Sequence, residues 1–182
     1  MKTLIVSLPV ILCLCYSTTA YSDTESQPCE FSYEVGFSPK GNALDLILTE
    51  IESAEKSISL AAYSFTSQPI ADALISAYNK GIDISVIVNK GSINGRGAKA
   101  RYLYNNNVPI KTNDKYSIMH NKFIIIDNKT VKTGSFNYSA AAVNRNAENI
   151  VIIRCVSDIT NKYQQEFARL WAESIELNPL NE

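Results

Sequence analysis

Apolar residues alternate with polar ones at Phe31, Tyr33, Val35 and Phe37, the two-residue period of a strand. Residues 38–42, Ser-Pro-Lys-Gly-Asn, then supply turn chemistry. The period changes to a helical one at Leu44, Ile47, Leu48 and Ile51, which fall on a single stripe. Residues 57–63 read as a buried strand, and Pro69 and Gly81 bracket a helix over 70–80. An Ile/Val-rich strand is expected over 83–88, a glycine-bearing loop over 89–97, a helix over 98–105 and a short strand over 108–111. Residues 123–127 and 130–133 flank Asn128-Lys129 as a tight strand-turn-strand. A further strand at 149–153 precedes a long amphipathic helix carrying Ile159, Tyr163, Phe167, Leu170 and Trp171. Strands alternating with helices, then a strand-rich middle, predict an α/β fold: a mixed sheet flanked by helices on both faces. No internal repeat is visible.

The first residues follow another logic. Met1-Lys2 precedes an apolar stretch with Leu4, Ile5, Val6 and residues 10–14, and Thr18-Thr19-Ala20 offers small residues for cleavage. The stretch is broken by Ser7 and Pro9 and falls short of the roughly 20 apolar residues a spanning helix needs. A signal peptide over 1–22 and one catalytic domain over 23–182 are therefore expected, with export to the periplasm or the medium. Cys13 and Cys15 would leave with that segment, while Cys29 and Cys155 remain. An oxidising compartment permits them to pair, but two separate thiols fit the sequence equally well. A formal charge of -1 gives no global basic field for nucleic acid. No cysteine lies in a zinc-like spacing, so neither metal nor cofactor is expected.

The chain has one histidine, His120, in His120-Asn121-Lys122-Phe123-Ile124-Ile125-Ile126-Asp127. On an extended segment residues two apart share a face, which sets imidazole and ammonium side by side on a rigid sheet. Gly134-Ser135-Phe136-Asn137 follows. The pattern H-x-K-x4-D and then G-S-x-N resembles the phospholipase D superfamily, and the single copy in a short chain resembles its small Nuc-type bacterial endonucleases. The resemblance runs from about Val35 to the last helix.

An imidazole nitrogen can attack phosphorus and form a phosphohistidine that water later resolves. A second group must protonate the leaving oxygen and then activate the water. Histidine suits that work, and this chain has no second one. The resemblance implies that single-motif members bring two copies together, so a homodimer with a shared active site is expected. His120 would be nucleophile in one subunit and general acid in the other, with Lys122 neutralising the nonbridging oxygens. Asn137 would donate an amide hydrogen bond, and Ser135 would position the phosphate or the lysine. Asp127 belongs to the motif's catalytic set, yet its odd spacing from His120 turns it to the opposite face, where a structural carboxylate is expected. Glu148 is the candidate to orient the imidazole.

Lys90, Arg96, Lys99 and Arg101 surround the glycine-bearing loop and could contact a nucleic-acid backbone. Tyr102 and Tyr104 could stack bases, though such a pair usually packs one inside and one outside. Gly95 to Ala100 fits a loose dinucleotide fingerprint, but the preceding strand ends too early. Two glycosylation sequons, at Asn128 and Asn137, read as incidental. The resulting expectation is an exported, metal-independent phosphodiesterase cutting DNA, or RNA too. A phospholipase D acting on lipid, or a noncatalytic nucleic-acid-binding protein, are the alternatives.

Overall fold

Central strands buried on both faces need apolar side chains in both directions, and residues 123–126, Phe-Ile-Ile-Ile, meet that demand. They lie in an eight-stranded mixed sheet whose order is β1-β7-β6-β5-β2-β3-β4-β8. The computed structural model describes residues 29–177, so the segment read as a signal peptide lies outside the described residues. In chain order the elements are β1 (Ser32–Ser38), α1 (Ala43–Glu52), β2 (Ser57–Ala62), α2 (Gln68–Asn79), β3 (Asp83–Asn89), α3 (Ala100–Asn105) and β4 (Ile110–Asn113). Then come β5 (Lys122–Ile126), β6 (Thr130–Gly134), α4 (Ala140–Asn144), β7 (Glu148–Arg154), α5 (Ser157–Ala172) and β8 (Ile175–Glu176). Strands β2, β3 and β4 run parallel, and the remaining pairings are antiparallel.

Alternation divides the core into two layers. Leu60, Ala62, Ile124, Ile126, Ile150 and Ile152 face helices α1 to α4. Ala61, Ile87, Phe123, Ile125 and Val131 face α5 through Phe167 and Leu170. Helices therefore cover both faces, as the pattern predicts. On β1, Gly36 allows close packing: a Cβ there would lie 2.9 Å from Ile150 Cγ1 and 3.0 Å from the α1 backbone at Ala43.

Several local details differ from the sequence reading. The β5–β6 turn comes one residue early, centred on Asp127 and Asn128 with φ of 52° and 54°. Two consecutive left-handed residues make the type I′ turn that matches strand twist, and Asp and Asn adopt that conformation more readily than Lys129 would. Strand β4 is shifted to 110–113, and its partner β8 is an unforeseen edge strand. Tyr102 and Tyr104 do not divide between inside and outside, since both are exposed on α3. The apolar side of β1 also points outward: Phe31, Tyr33, Val35 and Phe37 are 60%, 64%, 46% and 60% exposed. Tyr33 and Val35 pair with Ile153 and Val151 of β7, extending this apolar face across two strands that α5 does not cover.

Cys29 and Cys155 are joined in a disulfide, with Cα atoms 5.6 Å apart. It ties the entry to β1 to the end of β7, closing the alternative of two free thiols. Among the described residues no helix is long and apolar enough to cross a membrane.

Candidate active site

The parallel strands β2 and β3 end where β5 begins, and this end of the sheet gathers most of the chemistry-bearing residues. Lys122 opens β5 opposite Ala62, the last residue of β2. The next peptide is anchored as well, because the Tyr63 N–H donates to the Asn121 carbonyl at 3.0 Å. Buried Asn89, at the end of β3, accepts from the Met119 N–H at 3.0 Å and so fixes the loop leading to His120. His120 itself is exposed.

Tyr63 lies beside both principal groups. Its ring centroid lies 4.6 Å from that of His120, and the Lys122 ammonium sits 5.2 Å from the same ring. Lys122 is only 8% exposed and donates to the His120 carbonyl at 2.7 Å. Burial lowers its pKa from the ordinary lysine value, while the negative charge of Glu148 works against that fall. Tyr63 was absent from the sequence reading, since a tyrosine ending a buried strand looks like core. Its one available signal was its place at the carboxyl end of a parallel strand, where sites of such sheets collect.

Ser135, Asn137 and Glu148 converge from the end of β6 and the start of β7. Gly134 has φ of 142°, and a Cβ there would lie 2.3 Å from the Asn149 carbonyl oxygen. Only glycine allows the strands to meet this closely. Ser135 Oγ donates to Glu148 Oε2 at 2.6 Å and accepts from the Asn149 N–H at 3.1 Å. Its hydroxyl proton is thus committed to Glu148. The other Glu148 oxygen accepts from the Asn146 amide at 3.1 Å. Glu148 therefore does not orient the imidazole within this chain: its oxygens are held by Ser135 and Asn146, and its charge acts on Lys122. Asn137 lies in the following turn, with its side-chain oxygen buried and lacking a donor among the described residues. That turn is pinned to the segment after β2, because the Thr66 and Ser67 N–H groups both donate to the Tyr138 carbonyl.

Asp127 is not part of this assembly. It sits at the opposite end of β5, about 16 Å along the strand from Lys122 at 3.3 Å per residue. Its carboxylate accepts from the backbone N–H groups of Glu55, Lys56 and Ser57 at 2.9, 2.7 and 2.8 Å. Burial opposes the charged form, but these three bonds and Lys129 outweigh it and the net pKa shift is downward. The motif's carboxylate thus holds the α1–β2 junction to the hairpin.

The basic residues of the glycine-bearing loop are dispersed. Lys90 pairs with Asp114 at 2.7 Å, which offsets its charge. Arg101 donates to the Asn94 side chain, Lys99 lies 5.8 Å from the Tyr102 ring, and Arg96 is exposed. Lys90 nonetheless borders the site. With Tyr63, Asn89, Tyr116 and Ile118 it lines a shallow depression of about 400 Å³. A second one, of about 290 Å³, lies between His120, Tyr116, Ile118 and Arg169. Lys132, which periodicity would place at the surface, is buried behind Lys122 on the same side of the sheet. Among the described residues no group of three or more His, Cys, Asp or Glu is placed to hold a metal ion.

Residues 47–171 match the family described as "Cardiolipin synthase, PLD-like domain". A protein named Phospholipase D from Rickettsia conorii is 37% identical over 117 residues, covering 64% of this chain and 58% of the relative. Mitochondrial cardiolipin hydrolase of Xenopus laevis is 30% identical over 132 residues, covering 72% of this chain and 62% of that protein. The chain thus spans less than two thirds of the length of either. The crystal structure of Nuc from Salmonella typhimurium, a phospholipase D family member, superposes with a TM-score of 0.79 at 36% identity. That match covers 82% of this chain and 99% of Nuc.

Proposed function

Because the chain belongs to the phospholipase D superfamily, we propose that it hydrolyses phosphodiesters through a phosphohistidine, with DNA as substrate and RNA as a second one. The observation that carries this reading is the trio of His120, Tyr63 and Lys122 at one end of the sheet. A neutral His120 nitrogen attacks phosphorus, and the leaving oxygen takes a proton from the imidazolium of a second copy, which becomes imidazole. That imidazole then accepts a proton from water, whose oxygen attacks phosphorus and breaks the P–N bond. A phosphomonoester leaves and both imidazoles return to their starting state. Lys122 binds the nonbridging oxygens, where a fixed, largely desolvated charge is strongest. Asn137 adds an amide donor. Glu148 keeps Lys122 protonated against its burial, and Ser135 keeps Glu148 in place.

One histidine cannot be nucleophile and leaving-group acid in the same step, so the reading requires a homodimer with a shared site. The outward apolar face of β1 and β7 supports it, because Phe37 pairs with Asn149, next to Glu148, at the catalytic end of the sheet. The disulfide supports export to the periplasm or the medium, since such bonds persist in oxidising compartments. The nuclease reading draws on the single motif and on the near-complete coverage of Nuc. A lipid phosphodiester is the second reading, favoured by the printed names of the curated relatives and by exposed Ile118 beside His120.

The test is cleavage of plasmid DNA by the purified protein in excess EDTA, with His120→Ala prepared in parallel and phosphatidylcholine vesicles as the competing substrate. Cleavage of DNA by the native protein alone is expected. Turnover of vesicles without DNA cleavage would move the assignment to lipid, and turnover of neither would refute the phosphodiesterase reading.

A further inference from the structure

Lys132 is the least expected charged residue in the molecule. It lies in the middle of β6, between Ile124 of β5 and Ile152 of β7, and is 1% exposed. Among the described residues it makes no ion pair. Its ammonium lies 3.4 Å from both the Phe136 carbonyl and the Tyr138 hydroxyl, and 5.5 and 4.5 Å from the centroids of those rings. A lysine held this way is costly to bury, whereas an apolar residue of the same length would fill the space freely. Two features tie it to the candidate site. It is one strand pair behind Lys122 on the same side of the sheet, and it grips the turn that carries Asn137.

We propose that Lys132 is a positioning residue for the phosphoryl group, a second cation that acts through Lys122 and the 134–138 turn and gains its proton when the anion binds. The proposal rests on the phosphodiesterase reading of the site. Burial, then repulsion by Lys122, brings the Lys132 pKa down to about 7, with Glu148 opposing. An anion at Lys122 screens the like charge and favours the ammonium form. The charged and titratable groups that bear on it are Lys122 of β5, Glu148 of β7 and Tyr138, whose phenol burial holds protonated. Glu50 and Arg154 pair with each other at the far end of β7. The proton comes from solvent, so by linkage anion affinity must rise as pH falls through the unliganded pKa.

Sulfate is a suitable probe, because it does not titrate between pH 6 and 9. Binding would be measured by calorimetry at both pH values, in buffers of different ionisation enthalpy, with His120→Asn in every protein to remove the imidazole. With Lys132 present, sulfate should bind on the order of tenfold tighter at pH 6 than at pH 9, with proton uptake, a coupling of ordinary size for linked sites. Lys132→Met should bind with a distinctly shallower pH profile and less proton uptake, the remainder coming from Lys122, while melting no lower. Lys132→Gln keeps a polar tether to Phe136 and Tyr138 without a titratable charge and should be equally shallow. Undiminished pH dependence and proton uptake in either variant would overturn the role of Lys132. Absence of sulfate binding in all three proteins would instead overturn the phosphate site itself.

Discussion

Asp127→Asn separates the structural part of the motif from its chemistry. The substitution leaves the hairpin backbone at ease, since Asn tolerates the left-handed conformation that position 127 adopts at φ 52°. Its effect is confined to the three hydrogen bonds. Asp127 Oδ1 accepts from Lys56 and Ser57, and Oδ2 from Glu55. The asparagine oxygen can keep the first two as neutral bonds, while its NH2 group then faces the Glu55 N–H, donor against donor. Hydrogen bonds to a charged group contribute about 1.5–3 kcal/mol and neutral ones about 1. One lost bond and two weakened ones sum to roughly 2.5–7 kcal/mol, and partial exposure of the group brings the expected loss to about 2–4 kcal/mol.

Urea unfolding of both proteins measures this directly. The pH dependence carries a sign. The folded-state pKa of Asp127 lies below its unfolded value, so the unfolded chain binds more protons between the two. The stabilisation is therefore fully present above the unfolded carboxyl pKa and is lost as pH falls through the folded one. The stability gap between native protein and variant should be constant at neutral pH and close in acid. DNA cleavage, assayed well below both melting temperatures, should stay within about threefold, because no reacting atom lies near this end of β5. Unchanged stability with a hundredfold loss of turnover would refute the reasoning and return Asp127 to the reaction.

Further outcomes follow from other parts of the molecule. The disulfide closes a loop of 126 residues, so Cys29→Ser or reduction should cost about 2–5 kcal/mol of stability, read as a melting shift with and without dithiothreitol. An unchanged melt would mean that the bond is not formed in solution. Phe37→Glu should leave circular dichroism unaltered, since the side chain is 60% exposed, yet yield monomers in sedimentation and abolish cleavage. An active, unaltered dimer would exclude this face from the interface. Tyr63→Leu removes the ring beside His120 and Lys122 and should lower kcat roughly tenfold, in line with an interaction of about 1–2 kcal/mol at a desolvated cation. Wild-type kcat would mean that Tyr63 is only packing.

Element existence was largely legible because each strand and helix carries its own period, and the bracketing by Pro69 and Gly81 is met by α2 at 68–79. Boundaries were less so at the β5–β6 turn, where the demand for two left-handed residues selected Asp127-Asn128 over Asn128-Lys129. Strand parity argued for a structural role at Asp127, yet the residue stands in the left-handed turn beyond β5, and it is this position and its three backbone bonds that set the carboxylate apart from His120. Glu148 illustrates what the sequence leaves out. Its position before a strand was visible, but the hydrogen bonds from Ser135 and Asn146 that turn it from the imidazole toward Lys122 depend on tertiary contacts. Lys132 was hidden for the same reason, since periodicity does not report that β6 lies between two buried strands.

The exposed apolar face of β1 and the solitary histidine are best understood together. A strand whose Phe31, Tyr33, Val35 and Phe37 point to solvent is a poor solution for an isolated monomer, because contiguous exposed apolar surface favours association. The inward side of the same strand cannot exchange places with it, because Gly36 must be small where α1 and Ile150 approach. The register is therefore fixed by packing on one side, and the apolar side stays exposed. The proposed mechanism makes a parallel demand at the His120 end of the sheet, since phosphohistidine formation would need a proton donor that one His120 cannot also be. A second copy seated on this face would meet both demands with a single interface. Mixing native subunits with His120→Ala subunits tests that link. If each centre draws histidines from two chains, the mixed dimers cannot exceed a small fraction of native turnover, whereas independent sites in each chain would leave them half active.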